Sequence, residues 1–469
     1  MGKECIELPL YDEDIAPRRP RKRVREVSRE VPQPDIVLIS DDDDDCPESE
    51  ARLRALSPGF ENLVVREGLM TFGRGAEDPT IDFNFSRLYR EMRSVFSTLS
   101  KRHFSLEKKP EGVILTDLSR NGTFINQELV GNGASRLLKR NDVISLAHRQ
   151  FYAWVYEMEW QKDTAYPEQL RNKYLITNLV LGTGGYGKVL LGKPRKNMGR
   201  NVAIKLLNKK ALSRAISRTL ASEKDVENEI RCMRSVDHPN CIHIEDYVET
   251  EKMAFIVLEY VSGGELFDRI VDVCRNERGL GEKLTKFYSL QLLQAVQYLH
   301  SIGITHRDIK PENVLLLEKE DYTVAKLTDF GLSKRVDGDA AMRTYCGTPT
   351  YMAPEMVENE NEDYSPAVDM WSLGVVLFTS MCGYPPFSEG YEDGMPLNDQ
   401  IRKGRLVYNR LWKSISLKGQ QFIERLIMVD PRQRATPTSA MEDAWFDEDT
   451  RDAVKKKIDE YKESTRAQN

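Results

Sequence analysis

The chain has 469 residues, of which 30% are charged and 40% belong to the hydrophobic set, with a formal net charge of −6. That balance predicts a soluble globular protein rather than a fibrous or wholly disordered one, and the length allows more than one buried core. No run of about 18 uncharged apolar residues occurs, so no membrane span is expected, and the modest net charge speaks against general nucleic-acid binding. The N-terminal residues show no apolar signal core, and seven scattered cysteines without a C-x-x-C pair predict reduced thiols.

Residues 1–58 read as a disordered arm, because prolines alternate with opposite charge blocks and aromatics are few. Arg18, Arg19, Arg21, Lys22, Arg23 and Arg25 resemble a nuclear localisation signal; the alternative is a basic patch for anionic partners. Ile36, Val37, Leu38 and Ile39, followed by Asp41 to Asp45, resemble a SUMO-interacting motif. An apolar extended segment could add to a sheet edge while the acids meet a basic surface; solvated filler is the competing reading. Ser57-Pro58 offers a proline-directed phosphorylation site.

Residues 59–160 read as a β-sandwich, with short apolar runs such as Val113-Ile114-Leu115 and Val143-Ile144-Ser145-Leu146 separated by turn residues. Asn121-Gly122 is a hairpin signal. Three pieces follow one another: Gly73-Arg74, Ser100-Lys101-Arg102-His103, and Asn121-Gly122-Thr123-Phe124. Together they resemble the forkhead-associated domain. The resemblance implies phosphothreonine binding through Arg74, Ser100 and Lys101, with Asn121 on the peptide backbone and His103 bracing the loops. A guanidinium with hydroxyl and amide donors suits a dianion. Phe83 to Met92 appears as an insertion relative to that family.

Residues 161–172 read as a linker, and residues 173–446 as a small β part followed by a mainly helical part. Leu181 to Val189 carries G-x-G-x-x-G-x-V, in which glycines let backbone N–H groups approach phosphates. Val202-Ala203-Ile204-Lys205 follows, then Glu229, His306-Arg307-Asp308-Ile309-Lys310-Pro311-Glu312-Asn313, Asp329-Phe330-Gly331 and Ala353-Pro354-Glu355. In this order they resemble the eukaryotic protein kinase family. The family implies an α+β bilobal fold with ATP and Mg²⁺ between the lobes. It places ATP against Leu181, Gly182, Gly184, Gly187, Val189, Ala203, Lys205, Leu258, Glu259, Val261, Glu265 and Leu315. It pairs Lys205 with Glu229, gives the metal to Asn313 and Asp329, makes Asp308 the base, and sets Lys310 against the transferring phosphoryl. Glu355 and Arg434 resemble a structural ion pair, and Asp369 supports the catalytic loop.

Lys310-Pro311-Glu312-Asn313 and Gly347-Thr348-Pro349-Thr350-Tyr351 point, by that resemblance, to Ser/Thr specificity. Gly263 to Asp268 resembles the calmodulin-dependent kinase group, and Glu265 and Glu312 match acids that meet an arginine upstream of the phosphoacceptor. Thr344 and Thr348 match activation-loop autophosphorylation sites, and Arg307 could pair with such a phosphate. The two domains in this order resemble the checkpoint kinase 2 family, which implies damage or meiotic signalling, nuclear targets and transient homodimers. No Ser-Gln or Thr-Gln pair occurs, so the usual priming is in doubt. A phosphothreonine-binding scaffold with an inactive kinase domain is the alternative. Residues 447–469 form a charged tail compatible with a helix.

Overall fold

The computed structural model describes residues 51–468 except 58, 76–77, 79, 86–87, 89–92, 159–164, 185–186, 210–235, 276–277, 330–348, 359–363, 390–393 and 409. Of these, residues 51–209 and 245–260 form one compact unit, and 236–244 with 261–468 form a second.

The first unit opens with eleven strands: β1 (Ala51–Ala55), β2 (Leu63–Val64), β3 (Gly68–Gly73), β4 (Phe83–Asn84), β5 (Phe104–Lys109), β6 (Gly112–Asp117), β7 (Thr123–Ile125), β8 (Glu128–Leu129), β9 (Ser135–Leu137), β10 (Val143–Leu146) and β11 (Tyr152–Met158). They make two sheets, ordered β2-β1-β11-β10-β7-β8 and β4-β3-β5-β6-β9, the sandwich that the regular short runs predict. Its core is aromatic. Phe72 stacks on Phe104 with centroids 4.4 Å apart, and Phe60 meets Trp154 edge-on at 4.5 Å.

One boundary differs from the sequence reading. Ala51 to Ala55, assigned to the arm, is a sheet strand paired with β11. Ala51 and Leu53 point inward between outward Arg52 and Arg54, so the period-2 signal is short and masked by charge. Phe83-Asn84, at the start of the stretch read as an insertion, forms β4, parallel to β3, and Phe83 and Phe85 lie in the aromatic core.

The first unit continues with α1 (Arg93–Thr98), within the sandwich, and α2 (Glu168–Lys173), then β12 (Tyr174–Gly184), β13 (Gly187–Pro194), β14 (Val202–Asn208), β15 (Ile244–Glu249) and β16 (Met253–Glu259). The sheet order is β12-β13-β14-β16-β15. The stretch read as a linker thus ends in a helix, which Leu170 anchors by full burial beside Ile176, Val202 and Phe255. A second apolar cluster joins the sandwich to this sheet: Leu56, Val143, Tyr152 and Val155 pack with Leu175, Leu179 and Leu191.

The second unit is helical around α3 (Leu266–Cys274), α4 (Glu282–Ser301), the hairpin β17 (Val314–Leu316) and β18 (Ala325–Leu327), α5 (Pro354–Glu358), α6 (Ala367–Cys382), α7 (Leu397–Lys403), α8 (Arg410–Ser414), α9 (Leu417–Leu426), α10 (Pro437–Met441) and α11 (Glu448–Gln468). Helix α6 is buried from Val368 to Cys382, which explains its nearly uniform apolar sequence. The tail is the ordered helix α11, seated by buried Val454 and Ile458. Among the described residues no helix is long and apolar enough to cross a membrane.

Candidate active site and phosphopeptide loops

In the second unit the loop His306 to Asn313 is fixed before it can act. Asp369, at the start of α6 and 1% exposed, accepts from the His306 and Arg307 backbone N–H groups at 2.8 Å each. The His300 ring lies against the same carboxylate at 2.8 Å. A buried carboxylate stays there only because these donors replace water. Arg307 takes a positive φ of 64°, which turns the chain so that Asp308 follows. Lys310 Nζ and Asn313 Nδ2 then both donate to Asp308 Oδ2, at 2.7 and 2.9 Å. Asn313 Nδ2 also donates to the Asp308 carbonyl at 2.8 Å, and the His306 ring meets the Thr328 carbonyl at 3.0 Å. Asp329 follows with a φ of 64°. Asp308, Lys310 and Asn313 are therefore one hydrogen-bonded cluster.

The residues fit a divalent cation by donor chemistry. Asn313 spends its amide nitrogen on Asp308, and among the described residues its Oδ1 accepts no hydrogen bond. That oxygen and the Asp329 carboxylate are the hard ligands a small dication prefers. Arg434, its side chain fully buried, grips Glu355 through two parallel bonds of 2.6 Å, away from this cluster's hydrogen bonds.

In the first unit the glycine-rich turn lies between β12 and β13, with Gly182 opposite Val189 and Gly184 opposite Gly187. Gly187 is required sterically: any Cβ there would collide with the Leu206 carbonyl oxygen. Lys205 pairs in register with Val189 on one side and Ile256 on the other, and Ala203 pairs with Leu258. Leu181, Leu258 and Glu259 are half-buried on the same sheet. Val261, Glu265 and Leu315 belong to the second unit, where Glu265 and Leu315 form a β-bridge.

The forkhead-associated motif residues converge at one end of the sandwich. Arg74 follows β3, donating its backbone N–H to the Ser100 carbonyl at 3.1 Å. Its guanidinium carbon stands 5.9 Å from the Phe96 ring centre, and its Nε is buried without a hydrogen-bond partner. Gly73 beside it is obligatory, because a Cβ would strike the Lys101 carbonyl. Ser100 Oγ accepts from the Arg120 N–H at 3.0 Å, and Asn121 Nδ2 donates to the Thr98 carbonyl at 2.6 Å. Lys101 is exposed nearby. His103 is fully buried: Nδ1 accepts from the Ser100 N–H at 3.0 Å, so Nε2 carries the proton toward the Gly122 carbonyl at 3.3 Å. Burial pushes its pKa down to about 4.

Asp117 and Ser119, just before that motif, also shape the loop. Buried Asp117 accepts from Ser119 N–H and Oγ and from Thr123 N–H and Oγ1, at 2.7 to 3.1 Å, and so ties the Asn121 loop to β7. The D-x-S spacing of an Asx-type turn was the available signal. Glu229, Phe330, Thr344, Thr348, the basic block and Ile36 to Ile39 lie outside the described residues. Ser57 is described, and its Oγ donates to the Tyr152 carbonyl at 2.6 Å, so modification there requires that bond to break.

Residues 176–446 match the protein kinase domain model, and residues 70–147 match the FHA domain model. The chain is accordingly a serine/threonine protein kinase carrying a forkhead-associated domain. Over 437 residues it is 40% identical to the serine/threonine-protein kinase chk-2 of Caenorhabditis elegans, covering 90% of each chain. It is 40% identical over 360 residues to the ovarian-specific serine/threonine-protein kinase Lok of Drosophila melanogaster, covering 75% of this chain and 74% of Lok. A calcium/calmodulin-dependent protein kinase type 1 of Macrobrachium nipponense is 38% identical over 286 residues, covering 61% of this chain and 78% of that one. The chain belongs to the checkpoint kinase 2 family. It uses ATP and a divalent metal, acts on protein substrates, and binds phosphothreonine peptides through its forkhead-associated domain.

Proposed function

We propose that the chain transfers the γ-phosphoryl group of ATP, with Mg²⁺, to Ser or Thr residues that carry an arginine at the third position upstream. The observation that carries this is the Asp308 carboxylate held by Lys310 and Asn313 on a loop bolted to Asp369. Asp308 takes the proton of the substrate hydroxyl as its oxygen attacks the γ-phosphorus, the bond from that phosphorus to the β,γ-bridging oxygen breaks, and ADP leaves. Lys310, oriented by the same carboxylate, stands ready to neutralise charge on the transferring group. Asn313 and Asp329 would hold the metal, which would supply charge neutralisation on the phosphates. Lys205 holds the non-transferred phosphates, and Glu265 and Glu312 select the upstream arginine.

Arg74, Ser100, Lys101 and Asn121 take a phosphothreonine peptide; the buried, unpartnered Arg74 Nε supports this, since a phosphate oxygen would supply its missing acceptor. Bound phosphothreonine pairs two copies transiently, and phosphorylation of Thr344 and Thr348 then activates each. The basic block sends the protein to the nucleus, the Ile36 to Ile39 segment contacts SUMO, and the signal is DNA damage or meiotic.

One experiment tests the core of it. The purified protein and Asp308→Ala are presented with ATP, Mg²⁺ and a positional peptide library. We expect phosphorylated Ser and Thr with upstream arginine from the wild type, and a loss of at least about 10³-fold in the variant. Equal transfer by both proteins overturns the catalytic assignment; indifference to the upstream position overturns the specificity.

A further inference from the structure

A cavity of about 320 Å³ opens where the sandwich meets the five-stranded sheet, walled by Arg140, Arg171 and Arg195 with Asn141, Asn172, Tyr174, Leu175 and Ile176. Three arginines line one hollow, and cationic side chains gathered there favour an anion between them. Among the described residues no carboxylate pairs with any of the three. The acids of this junction are already engaged. Asp142 accepts from Asn126 Nδ2, Asn178 Nδ2 and the Lys139 N–H, Glu245 pairs with Arg200 at 2.6 Å, and Asp246 pairs with Lys173 at 2.7 Å.

The arginines are also held in place. The Arg140 carbonyl accepts from Asn178 Nδ2 at 2.7 Å, and the Asn141 carbonyl accepts from the Asn178 N–H at 2.8 Å. Asn141 itself adopts a φ of 68°, a conformation few side chains tolerate. Arg171 Nε donates to the Tyr166 carbonyl at 2.8 Å, and Arg195 Nε to the Arg171 carbonyl at 2.7 Å, so each keeps its terminal nitrogens for another acceptor. Arg140 is the sharpest signal: its Nε and Nη1 are buried with no hydrogen-bond partner at all. Leaving charged donors dry and unbonded is costly, and an anion that accepts from them removes the penalty.

We propose that this cavity is a binding site for a phosphate monoester dianion, which bridges the forkhead-associated sandwich and the ATP-binding sheet. A tetrahedral dianion offers several acceptor oxygens to guanidinium forks, which a single carboxylate does not. Arg140 comes from the sandwich, and Arg171 and Arg195 from the other side, so occupancy ties the two together. The site is separate from the Arg74 loops at the phosphopeptide end. The phosphate could be free or carried on a phosphorylated side chain.

The test uses full-length, dephosphorylated, nucleotide-free protein, titrated calorimetrically with inorganic phosphate and, separately, with a phosphoserine peptide, at constant ionic strength in chloride. Arg140→Gln and the exposed Arg195→Gln should each weaken phosphate binding about tenfold or more, the cost of a lost charge-assisted bond. Phosphate should also raise the unfolding temperature of the wild type more than that of either variant. Tighter binding of the phosphopeptide assigns the site to a protein-borne phosphate, and tighter binding of inorganic phosphate assigns it to a free anion. Affinity unchanged in both variants, or chloride producing the same heat, overturns the proposal.

Discussion

His103 shows how a single side chain sets the phosphopeptide loops. Its two ring nitrogens join the Ser100 N–H to the Gly122 carbonyl, and burial keeps it neutral, with its pKa near 4 against the usual 6.5. The unfolded chain therefore binds more protons than the folded one between those values. Stability from this group is complete above about pH 6.5 and is lost as pH falls toward 4. We expect the sandwich to lose on the order of 3 kcal/mol over that interval, and His103→Gln to flatten the dependence; denaturant melts followed by Trp154 fluorescence at stepped pH would show it. At this scale the sequence was most informative where function sits on a contiguous motif. Asp308, Lys310 and Asn313 lie within one octapeptide, and the structure brings their side chains together. The reach of Asp369 back to His306 and Arg307 spans more than sixty positions. No local pattern predicts that distance; only the family resemblance did. Arg140 has no signature in the sequence, because an arginine before an asparagine in a turn means nothing until Arg171 of α2 and Arg195 just after β13 are in place.

At the scale of elements, ion pairing decides which segments stay attached. Arg434, in the turn between α9 and α10, holds Glu355 at the head of α5 while its guanidinium lies 5.1 Å from the Trp371 ring centre. Removing one partner strands the other charge inside the protein. Glu355→Ala should destabilise the helical unit by about 3–5 kcal/mol, read by urea melts, and Glu355→Asp should recover only part of it, since the shorter acid cannot keep both parallel bonds. The mainly helical character of the second unit was legible as a whole. Strands β1 and β4 were not. The first hides two inward apolar residues among arginines, and the second is two residues long and pairs parallel to a strand that precedes it by ten positions. Sheet partners chosen at such separation leave little local trace.

Over the whole molecule the junction between sandwich and kinase sheet is the least predictable feature, because it depends on two domains meeting. Lys193 lies in it with no exposed surface, donating to the Leu56 carbonyl of the sandwich at 2.8 Å and to the Met198 carbonyl at 2.6 Å. Burial pushes its pKa down to about 8 from 10.5. The penalty for keeping this ammonium charged applies below pH 8 and is relieved as pH rises toward 10.5, so the unit should gain stability through that window. The expected gain is on the order of 3 kcal/mol, and Lys193→Met should abolish it; hydrogen exchange of the β12 and β13 amides at stepped alkaline pH would report the difference.

The apolar cluster beneath that lysine bears on how the chain may be divided. Leu175, Leu179 and Leu191 belong to the kinase sheet, yet the residues that keep water off them, Leu56, Val143, Tyr152 and Val155, come from the sandwich. A cut at the obvious seam between the two domains would leave each half with a greasy scar, and pieces scarred in that way adhere to one another and to chaperones. The two domains are thus a single inheritance: an insertion, deletion or exchange of either one succeeds only if it carries along the matching half of the seam.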